Sequence, residues 1–156
     1  MVDIYNATIP GRMATADLEP VTVQQRGAWF VTHTPDRRPL WVAELHGAVA
    51  GWLSLRDFYG RPAYAATAEI GIYVADAARR RGVARTLLAR AFERAPALGI
   101  STLIAVVFAH NEPSIALFCG AGFERWGLLP GVARLDERRV DVCLLGCALA
   151  QAPTRG

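Results

Sequence analysis

The stretch "EIGIYVADAARRRGVARTLLARAF", residues 69–92, constrains the fold most. It opens inside "TAEIGIYVA" (67–75), whose β-branched and aromatic residues read as a strand. It closes inside "RGVARTLLARAFERAPALG" (81–99), where Val83, Leu87, Leu88, Ala91 and Phe92 share one helical face and Gly99 is the stop. Only a short loop joins strand to helix, and it ends in Arg79, Arg80 and Arg81. A helix N-terminus already carries about half a positive charge, so each cation there costs roughly 0.3–1 kcal/mol. A bound anion would reverse that sign. The pattern Arg79-x-x-Gly82-x-Ala84 fits such a cradle. Gly82 lets the backbone approach a ligand closely. Ala84 is too small to block it, and the first-turn N–H groups of Val83, Ala84 and Arg85 point outward. A solvated arginine cluster is the other reading, and this stretch alone leaves both open. A Walker loop is excluded by the missing Gly-Lys-Ser/Thr, and a dinucleotide fingerprint by the missing GxGxxG.

The remaining elements follow from periodicity. "DLEPVTVQQRGAWFVTH" (17–33) reads as a helix. "PLWVAEL" (39–45) and "AVAGWLSL" (48–55) read as strands joined by a His46-Gly47 hairpin. "YGRPAYAA" (59–66) is a turn-rich connection. "STLIAVVFA" (101–109) reads as a fully buried strand from its unbroken apolar run. "NEPSIALFCGAGF" (111–123) is a short helix with Asn111 as N-cap and Gly122 as stop. "RVDVCLLGCAL" (139–149) is a last strand. This alternation predicts an α/β (α+β) domain with a mixed central sheet flanked by helices, spanning 1–156.

Composition narrows the function. No apolar run reaches bilayer length and no signal-peptide pattern opens the chain, so a soluble, cytoplasmic protein with no membrane partner is expected. The net charge of +3 is carried by arginine without any lysine, which suits a small anionic ligand. No basic stripe with interleaved aromatics is present, so no nucleic-acid partner is expected. Cys119, Cys143 and Cys147 form no CxxC pair and are expected as buried free thiols, and His33, His46 and His110 are scattered. No metal site is expected.

"EIGIYVADAARRRGVARTLL" followed by "NEPSIALFCGAGF" resembles the acetyl-CoA core of the GNAT acetyltransferase superfamily. Within it, "RPAYAATAEIGIYV", the Asn111-x-x-Ser114 pair and "DIYNATI" near the start are similar to the phosphinothricin and methionine sulfoximine N-acetyltransferase branch. The resemblance implies the GNAT fold, with acetyl-CoA as cosubstrate and a small-molecule amine as acceptor. Acetylation of a protein N-terminus or an aminoglycoside, and a non-catalytic acyl-CoA-binding module, are the alternatives. It also implies a homodimer, and it makes the anion of the opening stretch a CoA diphosphate, held by Arg79, Arg80, Arg81, Gly82, Val83, Ala84 and Arg85.

The resemblance places Glu69 as general base. It is the lone carboxylate in an apolar strand, where an ion-paired structural residue is the alternative. Backbone groups of Ile72, Tyr73 and Val74 are implied to hold the pantetheine and the acetyl carbonyl, and Asn111 and Ser114 to reach the CoA arm or cap their helix. Arg61, Tyr64 and Thr67 occupy the branch's Arg-x-Ala-Tyr-x-x-Thr motif, where an arginine fork would match a carboxylate or phosphinate. A surface arginine and a packing tyrosine are the alternative. The chain departs from the pattern in three ways. It begins inside the expected first helix, so the family's opening strand is missing. Phe118 stands where many members carry a proton-donating tyrosine. The segment "VARLDERRVDV" lacks a Lys-x-Gly-x-Trp pattern common in the branch.

Overall fold

The computed structural model describes residues 1–149, so residues 150–156 of the expected domain lie outside the described residues. Strand β1 (Leu40–Leu45) and strand β2 (Ala48–Asp57) form the expected hairpin. His46 and Gly47 both have positive φ, 53° and 79°, giving the two-residue turn whose twist matches paired strands. Strand β3 (Thr67–Val74) runs antiparallel along β2 from Gly51↔Val74 to Asp57↔Ala68. Helix α3 (Val83–Arg94) then crosses over to strand β4 (Thr102–Phe108), which lies parallel to β3. Helix α4 (Glu112–Gly120) leads to strand β5 (Glu124–Leu135), which pairs with strand β6 (Arg138–Ala148) at the far edge. The six described strands form one mixed sheet in the order β1-β2-β3-β4-β6-β5.

Each sheet face carries its own cluster. On one, Leu53, Leu55, Ile70, Leu103, Ala105 and Leu145 pack with Leu87, Leu88 and Ala91 of α3. On the other, Trp52 packs with Tyr5 and Ile9, beneath helix α1 (Val2–Asn6) and helix α2 (Val23–Val31). The start of α3 sits hard against β2: a β-carbon added at Gly51 would lie 2.9 Å from both Val83 Cγ1 and the Tyr73 carbonyl oxygen. Gly51 therefore sets how closely the arginine-bearing turn approaches the sheet.

Several expectations need correction. Helix α2 is shorter than the span 17–33, because a capping box fixes its start. Thr22 Oγ1 accepts from the Gln25 amide at 3.1 Å, and Gln25 Oε1 accepts from the Thr22 amide at 2.7 Å. Helix α3 ends at Arg94, and a 3₁₀ turn, Pro96–Leu98, carries the chain to Gly99, whose φ is 72°. β4 is not fully buried, since Val106 is 44% exposed on the face away from α3. β5 had no counterpart in the sequence reading. Of the three thiols only Cys143 is buried; Cys147 is half-buried and Cys119 exposed. No strand precedes α1 among the described residues.

Candidate active site

β3 and β4 pair at only three positions, Thr67↔Thr102 to Glu69↔Ile104, and then part. Beyond Glu69 the β4-facing backbone of β3, that of Ile72 and Val74, has no strand partner among the described residues, whereas the Tyr73 backbone, expected to join them, is turned to β2 opposite Trp52. A cavity of about 410 Å³ occupies this gap and the sheet face beneath α1 and α2. Its floor is ordered by the register of β2 and β3, because residues two apart on a strand share a face. Three cross-strand pairs follow one another there: Arg56↔Glu69, Ser54↔Gly71 and Trp52↔Tyr73. Arg56 Nη2 donates to Glu69 Oε1, forming an ion pair in which the Glu69 side chain is 17% exposed and that of Arg56 57%. Gly71 brings no side chain, so a hollow lies between this charged pair and the aromatic one. Trp52 and Tyr73 stack beyond it, and the buried Trp52 Nε1 has no hydrogen-bond partner.

Residues 11–17, which belong to no helix or strand, strap over the cavity. The Tyr5 hydroxyl bonds with Thr15 Oγ1 and donates to Asp17 Oδ2 at 2.6 Å. The Arg26 guanidinium lies 4.1 Å from the Tyr5 ring centroid and 3.4 Å from Asp17 Oδ2. Asn111 Nδ2 donates to the Met13 carbonyl at 2.8 Å, and His110 Nε2 to the Arg12 carbonyl at 2.9 Å. The strap is thus tied to both sides of the gap. Burial pushes the phenols of Tyr5 and Tyr73 above their usual range, and for Tyr5 the Asp17 carboxylate adds to this.

The arginine turn has the form of an anion cradle. Gly82 caps α3 at φ 82°, a left-handed conformation that favours glycine, and nothing lies within 4 Å of its would-be β-carbon. No side chain caps the helix, and its first internal bond runs from the Thr86 amide to the Gly82 carbonyl at 3.0 Å. The amides of Val83, Ala84 and Arg85 therefore have no acceptor within the helix. Arg79 pairs with Asp76 at 2.8 Å, while Arg80, Arg81 and Arg85 are exposed. Open donors, added cations and an unpaired β3 edge leading from them to Glu69 suit a diphosphate with a long amide-bearing arm.

The structure brings Glu69, Ile72, Tyr73, Asn111 and Ser114 together around the cavity. Both ends of the Asn111 amide are engaged by the fold: its Oδ1 accepts from the Ser114 amide at 3.2 Å while its Nδ2 holds the strap. Arg61, Tyr64 and Thr67 do not line the cavity. Arg61 is exposed at the start of the 3₁₀ turn Pro62–Tyr64, and Tyr64 packs edge-on against Phe58 with centroids 5.8 Å apart. Thr67 opens β3. Arg56, Ser54, Trp52, Tyr5, Asp17 and Arg26 line the cavity and were not anticipated. For Arg56 a signal existed: Trp52, Ser54 and Arg56 repeat with period two along a strand. Phe118 is buried against Phe123, so its ring offers packing and no proton. Among the described residues no cluster of three His, Cys, Asp or Glu side chains could hold a metal. No described helix is long and apolar enough to cross a membrane.

Comparison with known proteins agrees with this geometry. A Bacillus subtilis (strain 168) protein named "Putative phosphinothricin acetyltransferase YwnH" is 52% identical over 151 residues, covering 96% of this chain and 92% of the relative. An L-methionine sulfoximine/L-methionine sulfone acetyltransferase of Pseudomonas aeruginosa is 33% identical, covering 97% of this chain and 88% of the relative. The crystal structure of a GNAT superfamily phosphinothricin acetyltransferase from Sinorhizobium meliloti, in complex with AcCoA, superposes with a TM-score of 0.89. That protein is 31% identical, and the match covers 99% of this chain and 86% of that one. The model of the Acetyltransferase (GNAT) family matches residues 2–123. With its split mixed sheet, its glycine-capped arginine turn and these relatives, the chain belongs to the GNAT acetyltransferase family.

Proposed function

We propose that this enzyme moves acetyl from acetyl-CoA to the α-amine of a small amino-acid-like acid of the phosphinothricin or methionine sulfoximine type. The observation that carries this reading is the position of Glu69, where β3 leaves β4 and where the cavity begins. The acetyl thioester, when bound, supplies an electrophilic carbonyl. The chain supplies the rest. The turn from Arg79 to Arg85 holds the diphosphate. The free β3 edge at Ile72 and Val74 hydrogen-bonds the pantetheine arm and steadies charge on the carbonyl oxygen. Glu69 takes the ammonium proton so that the amine can attack. The names and activities of the relatives support the choice of acceptor, and so does the scale of the cavity, with Arg26 and Arg56 on its walls. A polycationic aminoglycoside would want an acidic cleft, and here the two cavity carboxylates, Asp17 and Glu69, are each already paired with an arginine.

The enzyme works as a homodimer in this reading. β5 is an edge strand, and Trp126, Leu128, Leu129 and Val132, distributed over both of its faces, are 39–60% exposed, apolar edge surface suited to burial against a second copy. The free thiols of the described residues suit a reducing compartment such as the cytoplasm. The test is acetyl-CoA turnover with a panel of amino acids, amino-acid analogues, peptides and aminoglycosides, read as thiol release and as product mass. Acetylation confined to peptides or aminoglycosides would overturn the assignment.

A further inference from the structure

The acceptor reading leaves open which residue recognises the acid group, since the arginine of the Arg61–Tyr64 loop stands outside the cavity. Two arginines line it. Arg26 is engaged on several sides: Asp17 lies 3.4 Å away, the Tyr5 ring 4.1 Å and the Trp29 ring 5.2 Å. Arg56 differs. Its hydrogen-bond partner among the described residues is Glu69 alone, through Nη2, and its side chain is 57% exposed. A guanidinium has five N–H donors in a planar fork, so most of those on Arg56 are free beside the gap.

We propose that Arg56 recognises the carboxylate of the acceptor, and that in doing so it is exchanged from Glu69 to the substrate. This rests on the reading of the acceptor as an amino-acid-like acid. Such an acceptor is a zwitterion, and the cavity floor presents the complementary pair, one cation and one anion on facing positions of β2 and β3. When the zwitterion inserts, its carboxylate takes the Arg56 fork and its ammonium takes Glu69. One ion pair becomes two. The less exposed partner, Glu69, never loses its counter-charge, which avoids stranding a charge with little access to water. The exchange also turns Glu69 from a structural partner into a base. The ammonium N–H bond breaks, the proton passes to a Glu69 oxygen, and the electron pair stays on nitrogen. Beyond the charged end, the hollow over Gly71 and the Trp52–Tyr73 stack receive the substrate's side chain. An amine without a carboxylate would leave Arg56 on Glu69 and keep the base engaged.

The experiment compares L-methionine sulfoximine with its α-carboxamide, in wild type, Arg56→Gln and Arg56→Lys. Calorimetric acetyl-CoA affinity serves as the folding control. Wild type should prefer the acid. Arg56→Gln should raise KM for the acid about 10- to 100-fold, the usual size of a lost charge-assisted contact, while KM for the carboxamide stays within about 3-fold. Arg56→Lys should keep part of the preference, because it retains the charge and loses the fork. Equal use of acid and carboxamide by wild type would overturn the inference and leave the acceptor class standing. An unchanged preference in Arg56→Gln would overturn it too. If wild type acetylated neither probe nor any amino acid in the panel, both readings would fall. Should Arg56→Gln fail to fold, Arg56→Lys decides: a preference equal to wild type overturns the proposal, and a reduced one supports it.

Discussion

Trp52 and Tyr73 stack across β2 and β3 with ring centroids 4.5 Å apart and planes 25° from parallel. Trp52 is 3% exposed and Tyr73 half-buried, and Tyr5 and Trp29 complete an aromatic group that carries α1 and α2. Removing the indole should therefore loosen the whole face above the cavity. Trp52→Ala should cost about 3–5 kcal/mol, as large-to-small core changes do. Calorimetry should show a Tm lower by roughly 10 °C. A fall of only a degree or two would mean that the stack contributes little.

The same group makes stability depend on alkaline pH. The Tyr73 and Tyr5 phenols both titrate above their ordinary 10.0 in the folded chain. A raised phenol pKa means that the fold favours the neutral ring. The stability gained is fully present below about pH 10 and is lost as pH rises beyond it. Tyr73→Phe keeps the ring and removes one ionising group. Urea midpoints should fall as pH rises from about 10 to about 12, and fall less in Tyr73→Phe than in wild type. Parallel declines would contradict this account.

Glu69→Gln preserves shape and removes basicity. It should lower kcat ~10²–10⁴-fold near neutral pH, with a loss that shrinks as pH rises and free amine accumulates. Acetyl-CoA affinity should change little, because the cradle lies at α3. Wild-type kcat across about pH 6 to 9 would show that solvent takes the proton and that the site acts by positioning.

At Gly82 the φ of 82° and the open ground where a β-carbon would stand make substitution both strained and obstructive. Gly82→Trp should weaken acetyl-CoA binding severely, by about 100-fold or more, since a bulky group would exclude the diphosphate from the helix amides. Titration calorimetry reads this directly. Undiminished affinity would place the diphosphate elsewhere.

Leu128 is 47% exposed on β5. If that edge is the dimer surface, Leu128→Asp should convert a dimer to a monomer at micromolar concentration while leaving the fold intact. Light scattering with circular dichroism is the measurement. A monomeric wild type would remove the premise.

Most of the core architecture was legible because its elements carry undiluted signals. The β3-turn-α3 unit has clean periods of two and then 3.6, and the His46-Gly47 turn has positive φ at both residues. β5 was hidden because Gly127, Pro130 and Gly131 interrupt it, and it pairs through two register shifts. A strand that tolerates such breaks lies at an edge, where one side of the backbone needs no partner. Val106 looked like core because periodicity cannot reveal that its neighbour β3 has moved away. The site was legible where residues are contiguous, at the arginine turn and Asn111-x-x-Ser114. Arg56 and Glu69 meet only through the β2–β3 register, thirteen residues apart in sequence. That relationship is set by the turn between the strands, and no local pattern encodes it. Helix α2 was overextended because residues 17–22 were read as continuous with the apolar stripe that begins at Val23. The capping box at Thr22 instead frees Asp17 to reach Tyr5 and Arg26.

The parting of β3 from β4 also has a kinetic consequence. The helix α3 cradle belongs to one face of the sheet, and the Arg56–Glu69 floor to the other. The gap between the strands connects them. Bound as proposed above, the two reactants would approach from opposite faces and meet there without displacing one another, so that acetyl passes directly and need not be parked on a side chain. Double-reciprocal plots at several fixed acetyl-CoA concentrations should intersect. Parallel lines, the mark of an acetylated enzyme, would mean that the gap is not the route.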